Sequence, residues 1–417
     1  MAKNITLRAI QGNTTGYYLL MAVLGALIAI GLGAAYYMEH EGHHVTGMTN
    51  QIVWGMPHVF AVFLIVAASG ALNVASISSV FNKSLYKPLA PLSGLLAAAL
   101  LIGGLTVLVL DLGRPDRLIV AMTYYNFKSI FAWNIFLYTG FLAIVVVYLW
   151  MMLEKRFNKH SSQVGFVAFV WRLILTTGTG SIFGFLVARQ YYDAAIMAPL
   201  FILMSFAFGL AIFNIVLAVA FKGTQRPLGD VLVERLRKLL GVFVASVLFF
   251  VAIFHLTNLY ATEHHGVESF ILDGDNVYTG LFWVGFMLFG SIIPLVLCLT
   301  SAFKKSLGAV LTASAMVIAG GLSQMYIIII GGQAYPLELF PGKEVSSSFF
   351  DGVVNSYAPS FPEIALGMGG TALALFIVAF AVKVLRFLPE SLANSEVDPH
   401  FSATEAEGEE ATSAAGA

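Results

Sequence analysis

The chain has 417 residues, of which 59% are hydrophobic and only 11% charged, and its mean hydropathy of +0.85 lies far outside the soluble range. Its 22 basic residues nearly balance 23 acidic ones, so no global field points to nucleic acid or to an acidic substrate. The one cysteine, Cys298, excludes an internal disulfide framework and a cysteine-ligated zinc or iron–sulfur centre.

Nothing near the N-terminus has the short apolar core and small-residue cleavage site of a signal peptide, so the first apolar run reads as a retained span. Runs of bilayer-spanning length fall at about 15–38, 51–80, 88–112, 129–153, 163–188, 194–221, 239–262, 276–302, 307–332 and 364–387. The expected fold is therefore an all-α integral membrane protein of about ten transmembrane helices. An even number places both termini on one side.

The loops say which side. Arg8, Lys83, Lys87, Lys155, Arg156, Lys159, Lys222, Arg226, Arg235, Arg237, Lys238, Lys304, Lys305, Lys383 and Arg386, with Lys3, fall on one face, against Arg114, Arg117, Lys128, Arg189 and Lys343 on the other. The positive-inside rule puts both termini in the cytoplasm of a multi-pass protein of the bacterial inner membrane. On the outer face, His40, His43 and His44 after the first span, and Glu263, His264, His265 and Glu268 after the seventh, read as solvated loops; the alternative is a metal site. The outer loop at about 333–363 is long enough to cap the helices. Residues 1–390 form the transmembrane domain, and 391–417, rich in Ala, Glu, Ser and Gly, read as a disordered cytoplasmic tail.

A weak internal repeat is suggested. Leu95 to Asp111 and Leu239 to His255 have equal separations, and Pro57 to Asn73 resembles Pro199 to Asn214. Segments 51–188 and 194–332 would then be two related four-helix bundles with two flanking helices; chance similarity between apolar helices is the alternative.

The third span ends in Asp111-Leu-Gly-Arg-Pro115. Gly113 can take the left-handed conformation that closes a helix, and Pro115 cannot donate the next backbone hydrogen bond, so the helix stops at its charges. Asp111, His58 (about two turns into the second span) and His255 in the seventh lie in the outer third of the membrane, where ionisable groups are costly and face protein. A histidine beside a carboxylate exchanges protons near neutral pH, as oxidation of a quinol headgroup requires. The bland reading is a histidine bonded between helices. Trp54, Trp133 and Tyr191 read as interface anchors, with stacking on a ligand as the other option. Arg114 and Arg117 neutralise Asp111 and Asp116 or pair with a partner subunit. In the inner half, Arg172 reads as snorkelling to the surface, with Asn73 and Asn214 as polar exceptions.

The Asp111–Pro115 helix end, the Pro57-His58 pair, the ten spans and Tyr357-Ala-Pro-Ser-Phe-Pro-Glu363 before the last helix resemble the NrfD/polysulfide reductase membrane-subunit family, in particular its branch in sulfite reductase-associated complexes. The resemblance implies a subunit of a respiratory complex that reacts with menaquinone or ubiquinone and holds no redox cofactor of its own. It also implies a periplasmic ferredoxin-like iron–sulfur partner, further membrane and cytochrome subunits, and a role in sulfur metabolism. By motif, Asp111 and Arg114 go to the quinone pocket or its gate, His58 to the headgroup, and Glu363 to the same region. Relatives with an acid in the seventh span differ from this sequence, which has His255 there. His58, Asp111 and His255 are thus the candidate catalytic groups, and Trp54, Arg114 and Glu363 the candidate binding groups. A secondary transporter and a haem b anchor are the competing classes.

Overall fold

The computed structural model describes residues 6–337 and 352–398. Among these are ten helices long and apolar enough to cross a membrane: α1 (Thr15–Glu41), α2 (Met56–Ser79), α3 (Ser84–Leu110), α4 (Ile130–Leu153), α5 (Asn158–Gly184), α6 (Met197–Gly223), α7 (Asp230–Tyr260), α8 (Val277–Leu299), α9 (Leu307–Ala334) and α10 (Phe361–Val384). The protein is an all-α membrane protein, as expected. Its only strands are the two-residue β1 (Leu7–Arg8) and β2 (Leu388–Pro389), paired antiparallel, among the described residues. With Ile10 N donating to Val382 O at 3.0 Å, they fasten the two ends of the described sequence at one face.

Helix α2 is the centre. It is apolar all round, and 94% of its most apolar stretch is buried, the mark of a helix enclosed by other helices. It packs on α3, α6 and α10, and more lightly on α5 and α9; α6 in turn packs on α7, α9, α5 and α2. The α2–α6 crossing is close because Gly70 lies against the Ser205 backbone and Gly209 against Gly70 and Ala67, where any side chain would collide. Small residues bring membrane helices together where no hydrophobic drive operates. Helix α1 has only 22% of its span buried and rests mainly on α10.

Three boundaries differ from the apolar runs. Helix α7 starts at Asp230 rather than near 239, because a charged first turn with a Glu234–Lys238 pair at 2.7 Å continues the same helix beyond the apolar stretch. Helix α2 starts at Met56, not 51: Gly55 is the cap and Pro57 sits in the first turn, where its missing N–H costs nothing. The predicted tail beginning at 391 is instead packed at first, since Leu392 and Val397 are buried and Asn394 accepts from Val231 N at 3.1 Å; its remainder lies outside the described residues, as do Lys3, Lys343 and the middle of the 333–363 loop.

Arg172 does not snorkel. It is fully buried, donates to Asn73 Oδ1 at 2.8 Å, and is flanked by the rings of Phe169 and Phe206 at 4.8 and 5.0 Å. Its helix turns it toward α2, so the surface is out of reach and ring faces take the place of water around the cation. Asn214 on α6 bonds Ser314 Oγ on α9 at 3.3 Å, and the two pairs span 99 and 100 residues of sequence.

Candidate functional site

The segment before α2 is irregular backbone held inside protein, the setting in which such backbone is tolerated at membrane depth. Gln333 organises it: Val53 N and Trp54 N donate to its Oε1 at 2.9 and 3.1 Å, and its amide donates to Trp54 O and Ile329 O. A π-helical stretch over Ile327–Gly331 in α9 sets where Gln333 points. Arg189 ties the next loop to the same place, donating to Gln333 O and Gln51 O at 2.9 Å each. Burial lowers the pKa of this guanidinium.

His58 therefore lies in the first turn of α2, not two turns in, and Trp54 precedes the helix. His58 Nδ1 is 2.8 Å from Asp111 Oδ2, with the Asp111 side chain fully enclosed and that of His58 17% exposed. The contact has the distance of an ion pair but not the alignment of a hydrogen bond, so among the described residues neither Asp111 oxygen receives a hydrogen bond. Asp111 caps α3, and Gly113 at φ +69° turns the backbone out as its sequence required. Trp54 is no interface anchor: its ring stacks on His58 at 6.0 Å and on Tyr192 at 6.4 Å, with Phe183 edge-on.

His255 is not joined directly to this pair. Its Nδ1 meets Glu268 Oε2 at 2.6 Å, and Asn258 donates to Glu268 Oε1 at 2.8 Å. Tyr191 lies beside it, ring to ring at 6.4 Å. Tyr191 and Tyr192 are both fully buried, because Arg189 draws their loop inward, which overturns the reading of Tyr191 as an anchor. Burial first, then the Glu268 charge, pushes the Tyr191 phenol well above its ordinary pKa, so it stays a neutral donor. His255 Nε2 and Tyr191 Oη have no hydrogen-bond partner among the described residues.

Glu268 and His264 overturn the solvated-loop reading, being fully buried and 9% exposed. The missed signal is a helical stripe: His264, Val267, Glu268 and Ile271 recur at i, i+3, i+4 and i+7, and all four face inward. The loop's charge count hid it.

Glu363 is saturated. Gly47 N and Ser360 N donate to its Oε2 at 2.8 and 2.7 Å, and Tyr357 Oη donates to Oε1 at 2.6 Å while accepting from Met56 N at 2.7 Å. It clamps α10 to the start of α2, behind His58. Burial, then the bond to Glu363, raises the Tyr357 pKa. Arg114 is exposed and bonded through two nitrogens to Asp116 at 3.0 Å, not to Asp111; the hydrogen bond from Arg114 holds the Asp116 carboxyl below its usual range. The site thus has a partly exposed His58–Asp111 pair and a buried His255–Glu268 pair, with Trp54 stacked between His58 and Tyr192 and with Tyr191 beside His255.

The sequence is similar to known membrane subunits of redox complexes. The integral membrane subunit of the Hdr-like menaquinol oxidoreductase of Archaeoglobus fulgidus is 28% identical over 397 residues, covering 94% of this sequence and 99% of that protein. The integral membrane subunit of a menaquinone reductase from Nitratidesulfovibrio vulgaris is 22% identical over 89% of this sequence and 91% of its own length. A polysulfide reductase component from Wolinella succinogenes is 25% identical over 69% of this sequence and 96% of its own. The family model described as polysulphide reductase, NrfD, matches residues 44–336, well over half of the sequence, and the protein belongs to that family.

Proposed function

We propose that this protein is the quinone-reactive membrane subunit of a multisubunit respiratory redox complex, passing electrons between the quinone pool and an iron–sulfur partner docked over the His58–Asp111 face. The relatives named for menaquinol and menaquinone chemistry support the substrate class, and the polysulfide reductase relative supports a place in sulfur metabolism. One observation carries the reading. A buried carboxylate whose two oxygens receive no hydrogen bond stands 2.8 Å from a partly exposed histidine, under a tryptophan ring.

A quinol hydroxyl meets the exposed edge of His58, behind which the Asp111 side chain is enclosed. In oxidation each quinol gives up two protons and two electrons: His58 takes the protons one at a time and releases each to water at the outer face, Asp111 holds the imidazolium formed each time, and both electrons leave to the iron–sulfur partner. Trp54 forms an apolar wall for the headgroup. The subunit holds no redox group of its own in this reading. The displacement of both histidine–carboxylate pairs to one end of the helices favours a surface-facing redox site over a transporter, whose site lies near the midplane.

Both termini are cytoplasmic and the site faces outward across the cytoplasmic membrane, an orientation the basic residues on the terminal face support. Segments 51–188 and 194–332 are two related halves, supported by the matched neighbours of α2 and α6 and by the Asn73–Arg172 and Asn214–Ser314 pairs. The test is quinol oxidation by the assembled complex. His58→Ala and Asp111→Asn each abolish it while the partner subunits still copurify; unchanged turnover in both variants refutes the site.

A further inference from the structure

On the face that holds both ends of the described sequence, opposite the redox site, helix α1 stands away from α6 and leaves a cleft of about 890 Å³ between them. Its walls are apolar: Leu20 and Leu24 of α1, Val216 and Val219 of α6, Leu375 and Val378 of α10. From Thr14 to Leu24 the wall rises ~15 Å at about 1.5 Å per residue, half of a hydrocarbon core of roughly 30 Å. The cleft is therefore one leaflet deep. Its volume is at the large end of ligand sites.

The floor is cationic. Arg226 donates to the carbonyls of Pro389, Ala9, Leu388 and Arg8 at 2.9 to 3.3 Å, contacts that fix the guanidinium without neutralising it. Arg8 pairs with Glu390 at 2.9 Å, so that carboxylate serves two arginines. These contacts leave cationic charge at the polar mouth of a hydrocarbon-lined slot.

We infer that this cleft holds one anionic phospholipid of that leaflet, its acyl tails between α1 and α6 and its phosphate at Arg226. The bilayer is the solvent on that side, and two arginines against one carboxylate at the headgroup level favour anionic over zwitterionic lipid. The lipid fills the space that holds α1 off α6. Its binding does not depend on what the redox site does.

Native mass spectrometry of the full-length protein, purified with its complex in mild detergent, tests it together with exchange into nanodiscs of phosphatidylglycerol and phosphatidylcholine. The expected result is one retained phosphatidylglycerol-class lipid per protein. Val219→Trp, a substitution at a wall position exposed to the cleft, should cut retention to the background of annular lipid without loss of helical content. Arg226→Gln should lower the preference for phosphatidylglycerol roughly five-fold, the weight of one surface cation. Retention unchanged in Val219→Trp, equal retention of both lipids by the wild type, a stoichiometric quinone in place of phospholipid, or crosslinking of a partner subunit's helix to Val219 in the intact complex would each overturn it.

Discussion

The two histidine–carboxylate pairs use the same groups to different ends. In the first, Asp111 receives no hydrogen bond and His58 keeps an open edge; in the second, Glu268 is fully engaged by His255 and Asn258 inside the protein. Satisfied polar groups in a low-dielectric interior make structure rigid, whereas an unsatisfied carboxylate is a destabilising feature kept for a ligand that completes it. The first pair is built for exchange with something outside the protein. The second has its carboxylate satisfied inside the protein, while His255 Nε2 has no partner among the described residues.

The contrast can be broken by substitution. Asp111→Asn has the largest expected effect, a loss of about 10²- to 10⁴-fold in quinol oxidation, the range of a positioned acid–base group, with thermal stability nearly unchanged because no hydrogen bond to Asp111 is lost. Turnover of the purified complex and its melting temperature check both halves. Glu268→Ala should behave in the opposite way, losing stability by about 3–5 kcal/mol as breakage of a buried pair leaves His255 and Asn258 stranded, and Glu268→Gln should recover much of it. If Glu268→Gln instead keeps full stability but loses turnover, the second pair belongs to the chemistry.

Smaller effects sharpen the comparison at the back of the site. Tyr357→Phe removes the hydroxyl between Met56 N and Glu363 and leaves buried groups short of a partner, at about 1–3 kcal/mol. Because that bond holds the start of α2, the change should appear in the quinol KM more than in assembly. Arg114→Gln is the smallest: its pair with Asp116 is exposed, so melting in moderate salt should not move. The depressed Asp116 pKa adds stability only above the ordinary Asp range, lost as pH falls through the lowered value; a salt titration at low and neutral pH should find this contribution screened out.

Much of this was legible in the sequence. Ten apolar runs and the Gly113–Pro115 stop followed from local rules, since a span must satisfy its own backbone and a charge at its end must find protein. Three site features were not. The burial of Glu268 was masked by charged neighbours, the inward turn of Tyr191 and Tyr192 depends on Arg189 reaching Gln333, and the capture of Arg114 by Asp116 was one of two pairings the spacing allowed. Arg172 likewise had a surface within reach by length and turned to Asn73 instead.

Sequence alone determined that the protein spans a membrane, where its helices stop, and that His58 and Asp111 share one end of the bundle, because hydrophobic length and helix-ending chemistry act within a few residues. Only the tertiary structure decided which acid each histidine meets and which carboxylate is left without a hydrogen bond. Those outcomes depend on contacts between helices far apart in the sequence, and a difference of one helical turn redirects a side chain to another neighbour.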